Sequence, residues 1–344
     1  MSEIIECVPN FSEGKDSSII EEIAKSISSV NQVKLLNVEA DKDYNRTVIT
    51  FVGPIKPVKE AAYKATETAI KLIDMTKHNG EHPRLGAVDV VPFIPVSGVS
   101  MAECVSISHE FGKMVADNLN IPVFLYGEAA ATAQRKQLSD IRKGEYEGLE
   151  SKLSNPEWKP DFGKAVFNPK SGALVTGARF FLIAYNVNLD ANDHSIAHEI
   201  ALRIRESGRP KKNEKGELVL DENGKKIIIP GTLKHIKAMG MLLARYHLAQ
   251  VSMNVTNYIE TPPHVAFEEV KKHAESLGAK VTGSEIVGLV PKAALTAAGV
   301  FYAEKQGMPV PTDDNKLIKI AIDSLGLSQL EEFIPQQKIM EYTI

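Results

Sequence analysis

Residues 77–89 read KHNGEHPRLGAVD, which gathers two histidines, a glutamate, an arginine and two glycines into one short segment. His78 and His82 stand four apart, a spacing that on a helix would turn both imidazoles toward one metal ion. Gly80 and Pro83 oppose a helix there, so the metal reading gives way to acid/base chemistry. Imidazole is the side chain whose ordinary proton affinity lets it both take and give a proton near neutrality. His194 and His198 repeat the spacing within DHSIAHEIALRIRESG, a clear helical pattern, but both fall on its polar side. The zinc-protease pattern also fails there, because position 202 is Leu, and the pair is read as surface residues.

Two other stretches are polar without an obvious folding reason. Residues 41–46, DKDYNR, join two strands, and turn chemistry accounts for Asp and Asn but not for Arg46. Residues 162–179, FGKAVFNPKSGALVTGAR, set Lys164, Asn168, Lys170 and Arg179 among three glycines where two halves of the chain meet. A hinge between domains and a site for an anionic ligand both fit that composition.

The elements that must hold these residues follow from apolar periodicity. Strands are predicted at 4–8, 33–38, 47–52 and 87–96 and helices at 17–29 and 58–75, a β-α-β-β-α-β order. Pro92 and Pro95 point to an edge position or an early end for the last strand. Helix 101–118 and strand 122–125 extend this half. From Arg179 the order repeats, with strand FFLIAYNVNL, a helix over about 194–206, strands near 236–240 and at LAQVSMNVTN, helix 265–277 and strand 280–287. The fold class is therefore α/β (α+β), as two ferredoxin-like split β-α-β subdomains packed side by side with a ligand groove between them. Residues 1–178 and 179–330 form the subdomains and 331–344 a C-terminal tail. Residues 209–231, with an Asn-Gly between two apolar runs, read as an exposed, solvated hairpin insertion rather than a basic patch.

Composition agrees with a globular protein of two compact units, at 344 residues, 43% hydrophobic and 24% charged. A net charge of −4 argues against nucleic-acid binding, so an anionic ligand has to be gathered by a local cluster of cations. The amino terminus lacks a basic or apolar leader and no window approaches ~18 uninterrupted apolar residues, which predicts a cytoplasmic protein without a membrane partner. Cys7 and Cys104 are isolated and are expected to be reduced. Neither a dinucleotide fingerprint nor a phosphate loop is present.

Together ECVPNFSEG at 6–14, NRTV at 45–48, KHNGEHPRLGAVDVVPFIPV at 77–96, VFLYGEAA at 123–130 and VTGAR at 175–179 resemble the formimidoyltransferase family. Its members are the transferase half of formimidoyltransferase-cyclodeaminase and stand-alone bacterial forms, and the likeness runs on through GLVP at 288–291 to the closing EYTI. The resemblance implies two α/β subdomains, an electropositive groove, a homodimer and a role in histidine breakdown. It also implies N-formimidoyl-L-glutamate as donor and tetrahydrofolate as co-substrate, with no metal. By the same resemblance His82 is the acid/base, and the folate-contacting stretch falls on Gly163 to Gly172 with Lys164, Asn168 and Lys170. Glu39 stands where the family carries an Asp as carboxylate partner of the histidine, one methylene longer in reach. Arg46, Arg84 and Arg179 are then expected to hold carboxylates of glutamate or of the folate tail, with Arg84 acting mainly on substrate use. Formyl transfer between 5-formyltetrahydrofolate and glutamate is the first alternative, since a carbonyl oxygen is nearly isosteric with an imino nitrogen. A non-catalytic folate-binding protein is the second, and it would have no use for His82. Residues 209–231 are longer than in the animal domain, and with the cyclodeaminase half unmatched a separate deaminase is expected to finish the pathway.

Overall fold

The computed structural model describes residues 3–343 except residues 43, 81, 244 and 245. The chain divides after Arg179 into two compact units.

In the first unit β1 (Ile4–Cys7) and β2 (Asn10–Phe11) make one strand interrupted at Val8 and Pro9. Helix α1 (Ser17–Ser28) starts at Asp16, whose carboxylate accepts the Ser18 and Ile19 N–H groups, and it buries Ile20, Ile23 and Ile27 on one stripe. Strands β3 (Lys34–Asp41) and β4 (Arg46–Gly53), helix α2 (Ile55–Leu72) and strand β5 (Val88–Ser97) complete the first motif. The strands lie in the order β3, β4, β1 with β2, then β5, each antiparallel to its neighbour, which is the split β-α-β arrangement. Helix α3 (Met101–Leu119), begun by a Ser100/Glu103 capping box, leads to β6 (Val123–Gly127), then α4 (Leu138–Arg142), α5 (Leu149–Ser154) and β7 (Leu174–Ala178). Strand β7 inserts between β5 and β6, parallel to both.

Two expectations change here. Residues 174–178 are an entirely buried interior strand rather than a hinge. Strand β5 is interior as well, despite Pro92 and Pro95. The Arg179 N–H donates to Phe93 O, so the Phe93 main chain faces β7 and that of Pro92 faces the other way. There β1 ends at Cys7 and β2 begins at Asn10, so the missing proline N–H costs no ladder bond. Pro95 faces the β7 side beyond the last pair, Phe93 with Ala178.

One face of this sheet carries Ile5, Cys7, Phe11, Ile49 and Phe51 into a core completed by α1, α2 and α3. On the other face Val90, Phe124 and Val175 pack with Ile141, Leu149 and Leu153 from α4 and α5. Asn10 is registered with Val48 and Val90, and Glu6 with Val52 and Ile94. Directly opposed residues share a face, so Glu6, Asn10 and Arg46 make this second face polar where it leaves the α4–α5 cover.

The second unit contains β8 (Ile183–Leu189), α6 (His194–Ile204), β9 (Arg209–Pro210), β10 (Ile228–Ile229), β11 (Ile236–Leu243), β12 (Leu248–Val255), α7 (Pro263–Ser276) and β13 (Val281–Val287). Its antiparallel order, β11-β12-β8-β13, is the same split motif. Tyr185, Val187 and Val251 are buried on the face that α6 and α7 cover. Helices α8 (Lys292–Lys305), α9 (Asp314–Leu325) and α10 (Pro335–Lys338) follow. The Val290 N–H donates to Lys338 O and the Met340 N–H to Val290 O, which ties residues after 331 into this unit. The insertion is more than a hairpin: segments at Lys211, Val219 and Ile227 hydrogen-bond one another, with turns at Gly216 and Gly224 between them. Among the described residues no helix is long and apolar enough to cross a membrane.

Candidate active site

The turn joining β3 to β4 is held by Asn45, a buried residue in the left-handed conformation at φ 47°. Its side-chain oxygen accepts the Gly14 N–H at 2.9 Å and its amide donates to Asn79 O at 3.0 Å. Its main-chain oxygen lies 2.9 Å from His78 Nε2. Three segments distant in sequence are thereby fixed to one another. Between them lies a narrow, shallow crevice lined by residues that include Ser12, Tyr44, Arg46, His78, His82, Arg84 and Asp89.

His82 is half-buried in this crevice, its ring edge-on to Tyr44 with centroids 6.1 Å apart and planes at 70°. Its proton affinity is pushed down to about 4, first by burial and then by the Arg46 and Arg142 guanidinium groups, with Asp89 pulling the other way. At neutral pH the imidazole is therefore uncharged and able to accept a proton. His78 has a different part. Arg84 Nε can only donate, 3.3 Å from His78 Nδ1, so His78 carries its hydrogen on Nε2 and gives it to Asn45 O. Burial also lowers its proton affinity, and it is a neutral tie within the loop.

Arg46 sits at the start of β4 with Nε 2.9 Å from Asn10 Oδ1, and Nη2 on the same oxygen. Asn10 is neutral, so the guanidinium keeps its charge. Arg84 differs: Nη1 and Nη2 bind Glu147 at 2.8 and 2.6 Å, Nη1 also reaches Glu145 at 3.1 Å, and Nε is on His78. It lines the crevice as a brace with most of its donors already engaged, which departs from the expectation of an anion clamp.

The remaining expected residues are more scattered. Glu39 lies on the exposed stretch of β3 outside the crevice lining, but its register with Val48 puts it on the polar face of Asn10 and Arg46, and its charge acts on Arg46. Gly163, at φ 83°, and Lys164 are in an exposed loop. Asn168 turns that loop by accepting the Ser171 N–H, and Lys170 Nζ donates to Lys71 O, the last turn of α2. Gly172 is bridged to Gly86, and Ala87 N–H to Ser171 O fixes this stretch to the chain leaving His82. Arg179 follows β7, its charge acting on buried Glu6 and Tyr126. Glu81 and Asp43, from the two segments singled out in the sequence, lie outside the described residues. Among the described residues no group of three or more His, Cys, Asp or Glu is placed to hold a metal ion.

Three charged groups here were missed by sequence reasoning. Asp89 closes the 77–89 segment and reads as the third residue of the strand predicted at 87–96, yet it is buried in the crevice wall, accepting the Leu85 N–H at 3.0 Å. Arg142 closes on the same carboxylate with Nε at 3.4 Å and with Nη2. Its five-residue helix is too short to show periodicity. Glu6 is buried and pushed up to about 7 by desolvation, with Arg179 opposing. Alternation of β1 marks it as a residue on the non-core face, and no stronger signal exists.

Two split β-α-β units, the first carrying an uncharged histidine beside guanidinium groups, define an α/β protein. The chain belongs to the formiminotransferase family, its residues 4–179 matching the N-terminal subdomain of the formiminotransferase domain and 184–344 the formiminotransferase domain. It is 39% identical over 304 residues to glutamate formimidoyltransferase of Streptococcus pyogenes serotype M1, covering 88% of this chain and 94% of that protein. Against the Thermoplasma acidophilum protein of the same name it is 41% identical over 306 residues, covering 88% and 93%. It is also 49% identical to formimidoyltransferase-cyclodeaminase of Dictyostelium discoideum over all 344 residues, and spans 61% of that longer protein.

Proposed function

We propose that this chain is a glutamate formimidoyltransferase, moving the formimidoyl group from N-formimidoyl-L-glutamate to N5 of tetrahydrofolate. The observation that carries the mechanism is the neutral His82 imidazole beside the Arg46 guanidinium. N5 attacks the amidine carbon, a new C–N bond forms, and His82 takes the N5 proton. The resulting imidazolium returns that proton to the glutamate nitrogen as the old C–N bond breaks. Products are 5-formimidoyl-tetrahydrofolate and glutamate, with His82 restored. General acid/base help of this type is worth ~10²- to 10⁴-fold in rate. Arg46 orients a carboxylate, and the exposed stretch from Gly163 to Gly172, fixed to the chain leaving His82, contacts folate. Named relatives that carry this activity over nearly their whole length support the reading. In the same reading the protein is a cytoplasmic homodimer acting in histidine breakdown.

The test is mass-spectrometric product detection with tetrahydrofolate and N-formimidoyl-glutamate, with N-formyl-glutamate and His82→Ala in parallel. Formimidoyl-tetrahydrofolate that depends on His82 is expected. Product from the formyl donor alone would replace the donor, and near-parental turnover in His82→Ala would remove His82 from its role.

A further inference from the structure

We propose that Asp89 is the positioning residue for His82: the carboxylate that stabilises the imidazolium formed during transfer, held in place by Arg142 and the Leu85 N–H. This rests on the transferase reading for its catalytic consequence, though not for its physical content. Asp89 and His82 line the same crevice, and Asp89 is only 2% exposed. One oxygen accepts the Leu85 N–H, in the chain that leaves His82, and both oxygens meet the Arg142 guanidinium. A buried carboxylate so held cannot swing away when the neighbouring ring gains charge.

The charges around His82 come from several elements. Arg46 on β4 and Arg142 on α4 disfavour its protonation, while Asp89 on β5 favours it. Among the described residues Arg84, His78 and Tyr44 are the other titratable groups in the wall, with Arg84 engaged by Glu145 and Glu147. Glu39, the carboxylate expected from resemblance, lies on exposed β3, outside the crevice lining, and its charge acts on Arg46. Proton acceptance beside two guanidinium groups leaves an imidazolium short of compensation, and among the described residues lining the crevice Asp89 is the acid able to supply it.

The deciding measurement is the NMR titration midpoint of the His82 ring in Arg142→Gln and in Arg142→Gln/Asp89→Asn. Loss of Arg142 frees the Asp89 carboxylate and moves the midpoint upward from about 4, into an accessible range. The single variant is expected to titrate about one unit above the double variant, a tenfold difference in proton affinity. Equal midpoints overturn the proposal. Asp140→Asn, a half-buried change on the same helix that faces Lys143, controls for general charge. Should Arg142→Gln fail to fold, turnover decides instead: Asp89→Asn is expected to lose about 10- to 100-fold in kcat with both KM values within about threefold. Partial recovery in Asp89→Glu is expected, and parental kcat in Asp89→Asn overturns the proposal. A protein that transfers neither group would end the transferase reading, while the titration would still judge Asp89.

Discussion

Arg84 closes both terminal nitrogens on the carboxylate of Glu147, Nη1 at 2.8 Å and Nη2 at 2.6 Å. Bidentate pairing fixes the plane of a guanidinium as well as its position. Because Arg84 Nε also holds His78, this pair determines where the loop bearing His82 enters the crevice. Arg84→Met is therefore expected to cost about 1–3 kcal/mol in denaturant unfolding and to lower kcat for formimidoyl transfer. Glu147, whose side chain is 64% exposed, contributes less, and Glu147→Gln should move both quantities in the same direction by a smaller amount. A rise in donor KM alone, with unfolding unchanged, would make Arg84 a substrate clamp after all.

The depressed proton affinity of His82 has a kinetic signature. A free imidazole loses its basic form as pH falls through about 6.5, whereas His82 keeps it down to about 4. The acid limb of kcat/KM is expected to fall well below pH 6, leaving activity level between about pH 6 and 8. Arg46→Met removes one of the guanidinium groups responsible and should shift the limb upward while raising donor KM. An acid limb near 6.5 in the parent would show that the ring is solvated in the working enzyme.

Much of this site was legible because polar residues crowd where turn chemistry does not need them. His82, Arg84 and Arg46 come from two separate segments and line one crevice. The order of elements within each split β-α-β motif was legible too, since both alternate strand and helix periods, whereas α4, α5, β7 and the helices from α8 onward were not read from the sequence. What escaped detection depends on distant partners. Pro92 reads as an edge residue until the break at Val8 and Pro9 is seen to lie across from it. The glycine in VTGA reads as a hinge, although a Cβ on Gly177 would lie 2.2 Å from Tyr126 O in the sheet. Arg142 has no local signal at all, and its place is fixed by Asp89, 53 residues earlier, which receives it.

Buried Glu6 makes a prediction about stability. Its carboxyl is raised from 4.5 to about 7, so between those values the folded chain holds a proton that the unfolded chain has lost. Stability contributed by the neutral acid is present below about pH 4.5 and is lost as pH rises through about 7. Glu6→Gln, which stays neutral, should match the parent near pH 4.5 and exceed it by on the order of 3 kcal/mol at pH 8. Thermal unfolding of both proteins at the two pH values checks this. A pH-independent difference would mean that the carboxyl is charged throughout and compensated by Arg179.

Gly80 tests the coupling between the β3–β4 turn and the histidine loop. A Cβ there would lie 2.3 Å from Tyr44 O and 2.8 Å from the Asn45 Cβ, and neither belongs to the far end of a flexible side chain. Asn45 cannot yield easily, because its left-handed backbone is held by bonds to Gly14 and Asn79 and by His78. The histidine loop must move instead, stretching the Asn45–Asn79 and Asn45–His78 bonds and carrying His82, two residues on, away from Arg46 and Asp89. Overpacking of this kind costs about 1–3 kcal/mol, and an ångström of misplacement can cost on the order of 100-fold in rate. Gly80→Ala is accordingly expected to fold with reduced stability and to lose 10- to 100-fold in kcat, measured by product formation at saturating substrates. Parental kcat with only a lowered melting temperature would show that the loop absorbs the methyl group without displacing His82, and that the Asn45 knot serves stability rather than catalysis.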